Sequence, residues 1–125
     1  MNTLHNNDNL LLEENAHVLI TPALKSRFEE LGSQNDTDNP IVVAKYFNPC
    51  GSATWYAIEY IPEQEVCYGY VTGMYVDEWG TFSITELESL NLPFGLKIER
   101  DIHFNEISYK ELIQPKPSKR AFSLY

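Results

Sequence analysis

The sequence predicts an α+β fold, an antiparallel β-meander of three to five strands packed with two or three short helices. Three observations predict it. "TPALKSRFEELG" repeats its apolar residues at helical spacing between a start signal and a stop signal. Stretches rich in aromatic and β-branched residues follow it. The gaps between them, "NPCGSA", "PEQ" and "GMYVDEWG", are too short for a parallel crossover and favour antiparallel neighbours.

The elements follow in order. Thr21 can accept from the open amides of a helix start, Pro22 suits the first helical position, and Gly32 suits a left-handed stop. Leu24, Phe28 and Leu31 fall at i, i+4 and i+7, which gives one apolar stripe. The turn-formers "NDTDNP" end the helical period. Strands are expected at 41–47, 54–61 and 65–72, with a short piece at 81–82. Simple alternation puts Tyr56, Ile58 and Tyr60 on one face and Trp55, Ala57 and Glu59 on the other. In the next strand Val66, Tyr68 and Tyr70 oppose Cys67, Gly69 and Val71. Ser83 and Glu86 have the spacing of a capping box, so a helix begins there and turns Ile84, Leu87 and Leu90 to the core. "SYKELI" reads as a short last helix. The expected organisation is a flexible arm at 1–16, a single domain at 17–114 and a basic tail at 115–125.

Charge narrows the function. The 125 residues carry a net charge of −9. From Tyr46 to Leu96 there are seven acids and no base, whereas the last eleven residues contain Lys116, Lys119 and Arg120 and no acid. Residues 1–114, with six bases against eighteen acids, carry −12. Nucleic-acid binding rests on cationic neutralisation of phosphates, so no direct nucleic-acid contact is expected. A protein partner with a basic surface suits this sign. Two cysteines, Cys50 and Cys67, read as free thiols, and without a CxxC or Cys/His cluster neither metal nor cofactor is expected. "MNTLHNNDNL" lacks the basic start and apolar core of a signal peptide, and no apolar run reaches membrane-spanning length. The expectation is a cytoplasmic protein without membrane contact.

"VLITPALKSRF", "IVVAKYFNP", "TWYAIEY", "YGYVTG", "EWGTFSITELESL" and "PFGLKIERDIHF", in this order, resemble the DUF2958 family of small proteins of unknown function. The most specific pieces are W-Y-x-x-E at 55–59 and E-W-G-x-F-S-x-x-E-L at 78–87. The resemblance implies a setting, the plasmids, phages and conjugative elements of bacteria, and transfers no catalytic residue. Position 103, more often aromatic in that family, is histidine here.

His5, His17 and His103 are the chain's histidines, and no serine or cysteine sits in an activating motif, so no residue is assigned as catalytic. Eight of the sixteen aromatic residues fall between Ser52 and Ile84. Without cations nearby, Tyr56, Tyr60, Tyr68 and Tyr70 suit packing better than base stacking. Trp55, Glu59, Glu63, Glu65, Asp77, Glu78 and Trp79 are the candidate partner-binding residues, aromatic anchors among carboxylates. Glu63 with Glu65, and Glu99 with Asp101, would stand about 6.6 Å apart on an extended chain, a spacing that imitates phosphates. The leading expectation is a non-enzymatic accessory protein of a mobile element, an acidic inhibitor of a host nucleic-acid-binding defence system of the restriction or CRISPR type. A small enzyme using Glu59, Glu78 and His103 is the alternative, and a structural or regulatory module is a third.

Overall fold

A computed structural model describes residues 14–115. The predicted helix forms as α1 (Pro22–Leu31). Thr21 Oγ1 accepts from the Leu24 amide at 3.2 Å, and Gly32, at φ +58°, closes the last turn by donating its N–H to the Phe28 carbonyl. Phe28 is buried, with its ring 6.0 Å from that of Tyr60, and Leu24 and Leu31 pack beside it.

The main sheet is antiparallel throughout. It contains β2 (Ala44–Phe47), β3 (Thr54–Ile61), β4 (Val66–Thr72), β5 (Glu78–Ser83) and β6 (Glu99–Arg100), in the order β5-β4-β3-β2-β6. A two-stranded sheet joins β1 (Ile41–Val42) to β7 (Ile107–Ser108). Two short helices follow the strands that introduce them, α2 (Ile84–Ser89) after β5 and α3 (Tyr109–Ile113) after β7. This is the expected α+β meander, and β6, in the stretch around Glu99 read as extended, is its fifth strand.

Four local readings are corrected. The strand expected at 41–47 breaks at Val43, whose amide turns aside to the Ala57 carbonyl (2.9 Å). The piece at 81–82 is a six-residue strand, because Gly80, read as a turn glycine, pairs directly with Gly69. Leu90 lies past the end of α2 and is 43% exposed, while Ile84 and Leu87 are buried as expected. In β3 the register shifts between Ala57, opposite Gly69, and Glu59, opposite Tyr68. This β-bulge inverts the alternation beyond it, so Tyr60 joins Trp55 and Ala57 on the core side. Gly69 lets the two strands approach there, since a Cβ would overlap the Tyr56 carbonyl oxygen.

The core lies between one sheet face and the helices α1 and α2, built from Leu19, Phe28, Tyr46, Trp55, Phe82, Leu87 and their neighbours. The segment before α1 is tied to it through polar groups. Tyr46 donates its hydroxyl to the Leu19 carbonyl (2.7 Å), and Glu88 accepts the Leu19 amide (3.1 Å). Buried Arg100 donates through Nε to the Val18 carbonyl (2.9 Å) and through a terminal nitrogen to that of Asn15 (3.2 Å). Residues 1–13 of the predicted arm and Lys116, Lys119 and Arg120 of the predicted tail lie outside the described residues. No helix among the described residues is long and apolar enough to cross a membrane.

Candidate functional site

The sheet face opposite the core carries a cluster of aromatic rings. Cross-strand pairing sets Tyr56 opposite Tyr70 and Tyr70 opposite Trp79. Tyr68 lies nearly parallel to Trp79, with ring centroids 5.8 Å apart and an interplanar angle of 19°. Tyr109, the first residue of α3, closes the group at 4.7 Å from Trp79 and 5.2 Å from Tyr70. It is held there because Ser108 caps α3 through the Glu111 amide (3.3 Å) and because the Tyr109 amide donates to the Pro40 carbonyl (2.8 Å). Burial first, and then neighbouring Tyr109, push the Tyr70 hydroxyl above the usual tyrosine range.

The β-bulge supplies the other side of the site. Gln34, 9% exposed, donates through Nε2 to the carbonyls of Ile58 (2.9 Å) and Ile41 (3.0 Å), and its Oε1 accepts the Ile41 amide (2.7 Å). The Gln34 amide in turn donates to Glu59 Oε1 (2.7 Å). These bonds hold the 33–40 loop against the bulged strand. Between loop and rings lies a pocket of about 300 Å³. Ile58 and Pro40, both buried, give it an apolar lining, Tyr68, Trp79 and Tyr109 flank it, and among the described residues Asp38 is the one charged residue lining it. Its size is at the small end of ligand-binding cavities.

The structure brings few of the predicted residues together. Trp79 flanks the pocket, and Glu59 lies at the bulge beside it. Trp55, 5% exposed, belongs to the core and takes no part in a surface. Glu63 and Glu65 occupy the turn at 62–65 with Glu65 at φ +53°, so the extended spacing expected of them does not form. Glu65 instead accepts the Thr85 hydroxyl (2.8 Å). Asp101 follows β6 and pairs with Lys45 (3.5 Å), so it is not part of a continuous strand with Glu99. Asp77 accepts the Gly73 amide (3.1 Å). Glu78, exposed, pairs with Val71, which packs against the core, so its side chain leaves the sheet on the face opposite Trp79.

Glu59, Glu78 and His103 do not converge. Glu59 pairs with Tyr68 and thus belongs to the aromatic face, opposite to that of Glu78. His103 follows β6 at the far edge of the sheet from β5, four strand spacings or roughly 19 Å away from that edge. Among the described residues, no group of three His, Cys, Asp or Glu is placed to hold a metal ion. Cys67 is fully buried, and burial pushes its thiol far above the usual range, whereas Cys50 is exposed.

Sequence reading missed Gln34, Tyr109 and the tip of the β4–β5 connection. Gln34 has no local signature, because its partners Ile41 and Ile58 come from other segments. Tyr109 had one, the S-x-x-E spacing of Ser108 and Glu111 that begins α3. The tip, with Met74 56%, Tyr75 107% and Val76 63% exposed, stands out in the sequence only as three apolar residues within a loop.

No curated protein and no solved structure matches the chain. The sequence profile of a family described as "protein of unknown function (DUF2958)" matches residues 10–110, which include the bulge, the aromatic face and the pocket. The chain belongs to the DUF2958 family.

Proposed function

We propose that the chain is a non-enzymatic accessory protein of a bacterial mobile element that binds a basic, nucleic-acid-handling protein of the host, of the restriction or CRISPR kind, and blocks it. One observation carries this reading: the half-buried rings Tyr68, Tyr70 and Trp79 of β4 and β5, and the exposed Met74, Tyr75 and Val76 of their connection, lie in a stretch with seven acids and no base. Aromatic anchors supply contact area to an interface, and the sign of the surrounding charge selects the partner. Nucleic acid fits this surface poorly. Bases stacked on Tyr68 or Trp79 would bring their phosphates towards the Asp38 carboxylate, whose charge offsets that of nearby Lys110. Because Glu63 and Glu65 lie in a turn, recognition here depends on the sign of charge and on inserted rings rather than on a copied phosphate ladder.

The test combines Glu63→Gln, Glu65→Gln, Asp77→Asn and Glu78→Gln, four exposed positions at which the amide keeps an acceptor for the Thr85 and Gly73 bonds. A plasmid encoding the parent should establish itself more often than an empty one in hosts that carry a restriction or CRISPR system, and equally in hosts without one. The purified protein should bind the defence protein with an affinity that falls as salt rises, and DNA should compete. The fourfold variant should melt like the parent and protect less. Equal protection by parent and variant, or binding indifferent to salt, refutes the proposal.

A further inference from the structure

We infer that the pocket beside Trp79 takes the guanidinium group of an arginine presented by a protein partner, which rests on the basic-partner reading above and names the contact that reading lacks. Its surfaces match that group part by part. Tyr68 and Trp79 lie nearly parallel to each other and Tyr109 is tilted 58° to Trp79, so a flat cation entering the pocket meets three aromatic rings in two orientations. Cations are attracted to such faces, and guanidinium, planar and weakly hydrated, stacks on them better than ammonium does. Buried Ile58 and Pro40 offer an apolar base for the methylene stem.

Charge points the same way. Among the described residues Asp38 is the single charged one of the lining, its side chain 89% exposed at the rim, and none of them that lines the pocket is a cation. Its partner Lys110 is itself 59% exposed. An ion pair so exposed is weak, so an incoming guanidinium can share the carboxylate or replace the ammonium. Gln34 has both amide hydrogens and its oxygen committed to backbone groups, so the side chain that shapes the pocket leaves the cation to the rings and to Asp38. A nucleobase would also pack against these rings. The phosphate attached to it would meet the Asp38 carboxylate at the rim, which favours the arginine.

The chain's own fluorescence provides the assay. Of its two tryptophans Trp55 is in the core and Trp79 flanks the pocket, so a ligand response that disappears in Trp79→Phe reports this site. The full chain is titrated with acetyl-Gly-Arg-Gly-amide, with the citrulline peptide of the same shape and no charge, with the lysine peptide, and with adenosine monophosphate. The arginine peptide should give a saturable change, and the citrulline peptide should bind about tenfold more weakly, within the range that cation–π and rim carboxylate contacts supply together. The lysine peptide should fall between them. Asp38→Asn should weaken the arginine peptide by roughly two- to fivefold while leaving the melting temperature unchanged. Equal binding of arginine and citrulline peptides, tighter binding of adenosine monophosphate, or no saturable response to the arginine peptide overturns the inference. If the pocket fails these tests while the parent still binds a basic defence protein in a salt-dependent way, only the pocket assignment falls. If the peptide binds and no defence protein does, the proposed function falls and the arginine site stands.

Discussion

Replacing Gln34 by alanine should destabilise the fold by about 2–4 kcal/mol. The side chain makes three hydrogen bonds to the backbone of Ile41 and Ile58, at 2.7 to 3.0 Å. Each such bond contributes about 0.5–1.5 kcal/mol net, and a carbonyl left buried without a partner adds a desolvation penalty. For a domain of this size the melting temperature should drop by roughly 10 °C or more, read by circular dichroism. Gln34→Glu separates hydrogen bonding from side-chain volume. It keeps an acceptor for the Ile41 amide but aims a carboxylate oxygen at two carbonyl oxygens. Ionisation is disfavoured there, so the introduced carboxyl has a folded pKa above its unfolded value of about 4.3. The folded state then binds more protons than the unfolded one above that pH, and the stability of the variant relative to the parent must fall as pH rises. Urea midpoints of parent and variant, compared at each pH from about 4 to 7, should diverge upward along that range. A Gln34→Ala protein within about 0.5 kcal/mol of the parent, the scatter of an ordinary surface change, would refute the role given to this side chain.

Two further outcomes follow from the same bonds and burials. Ser83→Ala should cost about 1 kcal/mol, because Ser83 Oγ caps α2 through the Glu86 amide at 3.1 Å, and Glu86→Ala should cost less; equal midpoints for the two in urea would show that Ser83 is not the cap. Tyr46, whose hydroxyl burial pushes well above the usual range, ionises in the unfolded chain first, so stability present below about pH 10 must be lost above it. Tyr46→Phe, which gives up the bond to the Leu19 carbonyl, should be about 1 kcal/mol less stable at neutral pH and should lose less on going alkaline. Parallel pH profiles for parent and variant would contradict this.

What the residues disclosed in advance was local. Thr21, Pro22 and Gly32 mark the ends of α1 by chemistry that needs no tertiary context, and Ser83 does so for α2. The tyrosine-rich alternation of β4 likewise sorts its faces correctly. The failures are non-local. A bulge adds one residue to one strand, and nothing in "WYAIEYI" announces where, because the partner strand and Gln34 select the position. Glycine misled at β5, where Gly80 faces Gly69 across a strand pair instead of forming a turn. For the site, Trp79 was found because an aromatic beside carboxylates is visible in one dimension. Trp55 sits in the same kind of stretch and is core, a difference fixed by strand parity and by which face the helices cover. The pocket joins segments from residues 34 to 109, and its shape was not legible at any single position.

The bulge links core and site through one residue. Without the extra residue in β3, strict alternation would send Tyr60 to the face of Tyr56 and remove it from Phe28, at a cost in buried area to α1. With it, Tyr60 reaches the core, and Ile58 is left facing the 33–40 loop, where its carbonyl becomes the acceptor that anchors Gln34. The Gln34 amide then finds Glu59, a carboxylate with a structural reason to exist that is independent of any partner. Asp38 has no such reason, since among the described residues its polar side-chain contact is one exposed pair with Lys110. Two acids of the same charge thus play different parts. Glu59 holds the bulge and with it the pocket wall, and Asp38 is left at the rim for whatever enters. For this reason a charge-neutralising scan across this face should separate into changes that lower stability, at Glu59, and changes that lower binding alone, at Asp38.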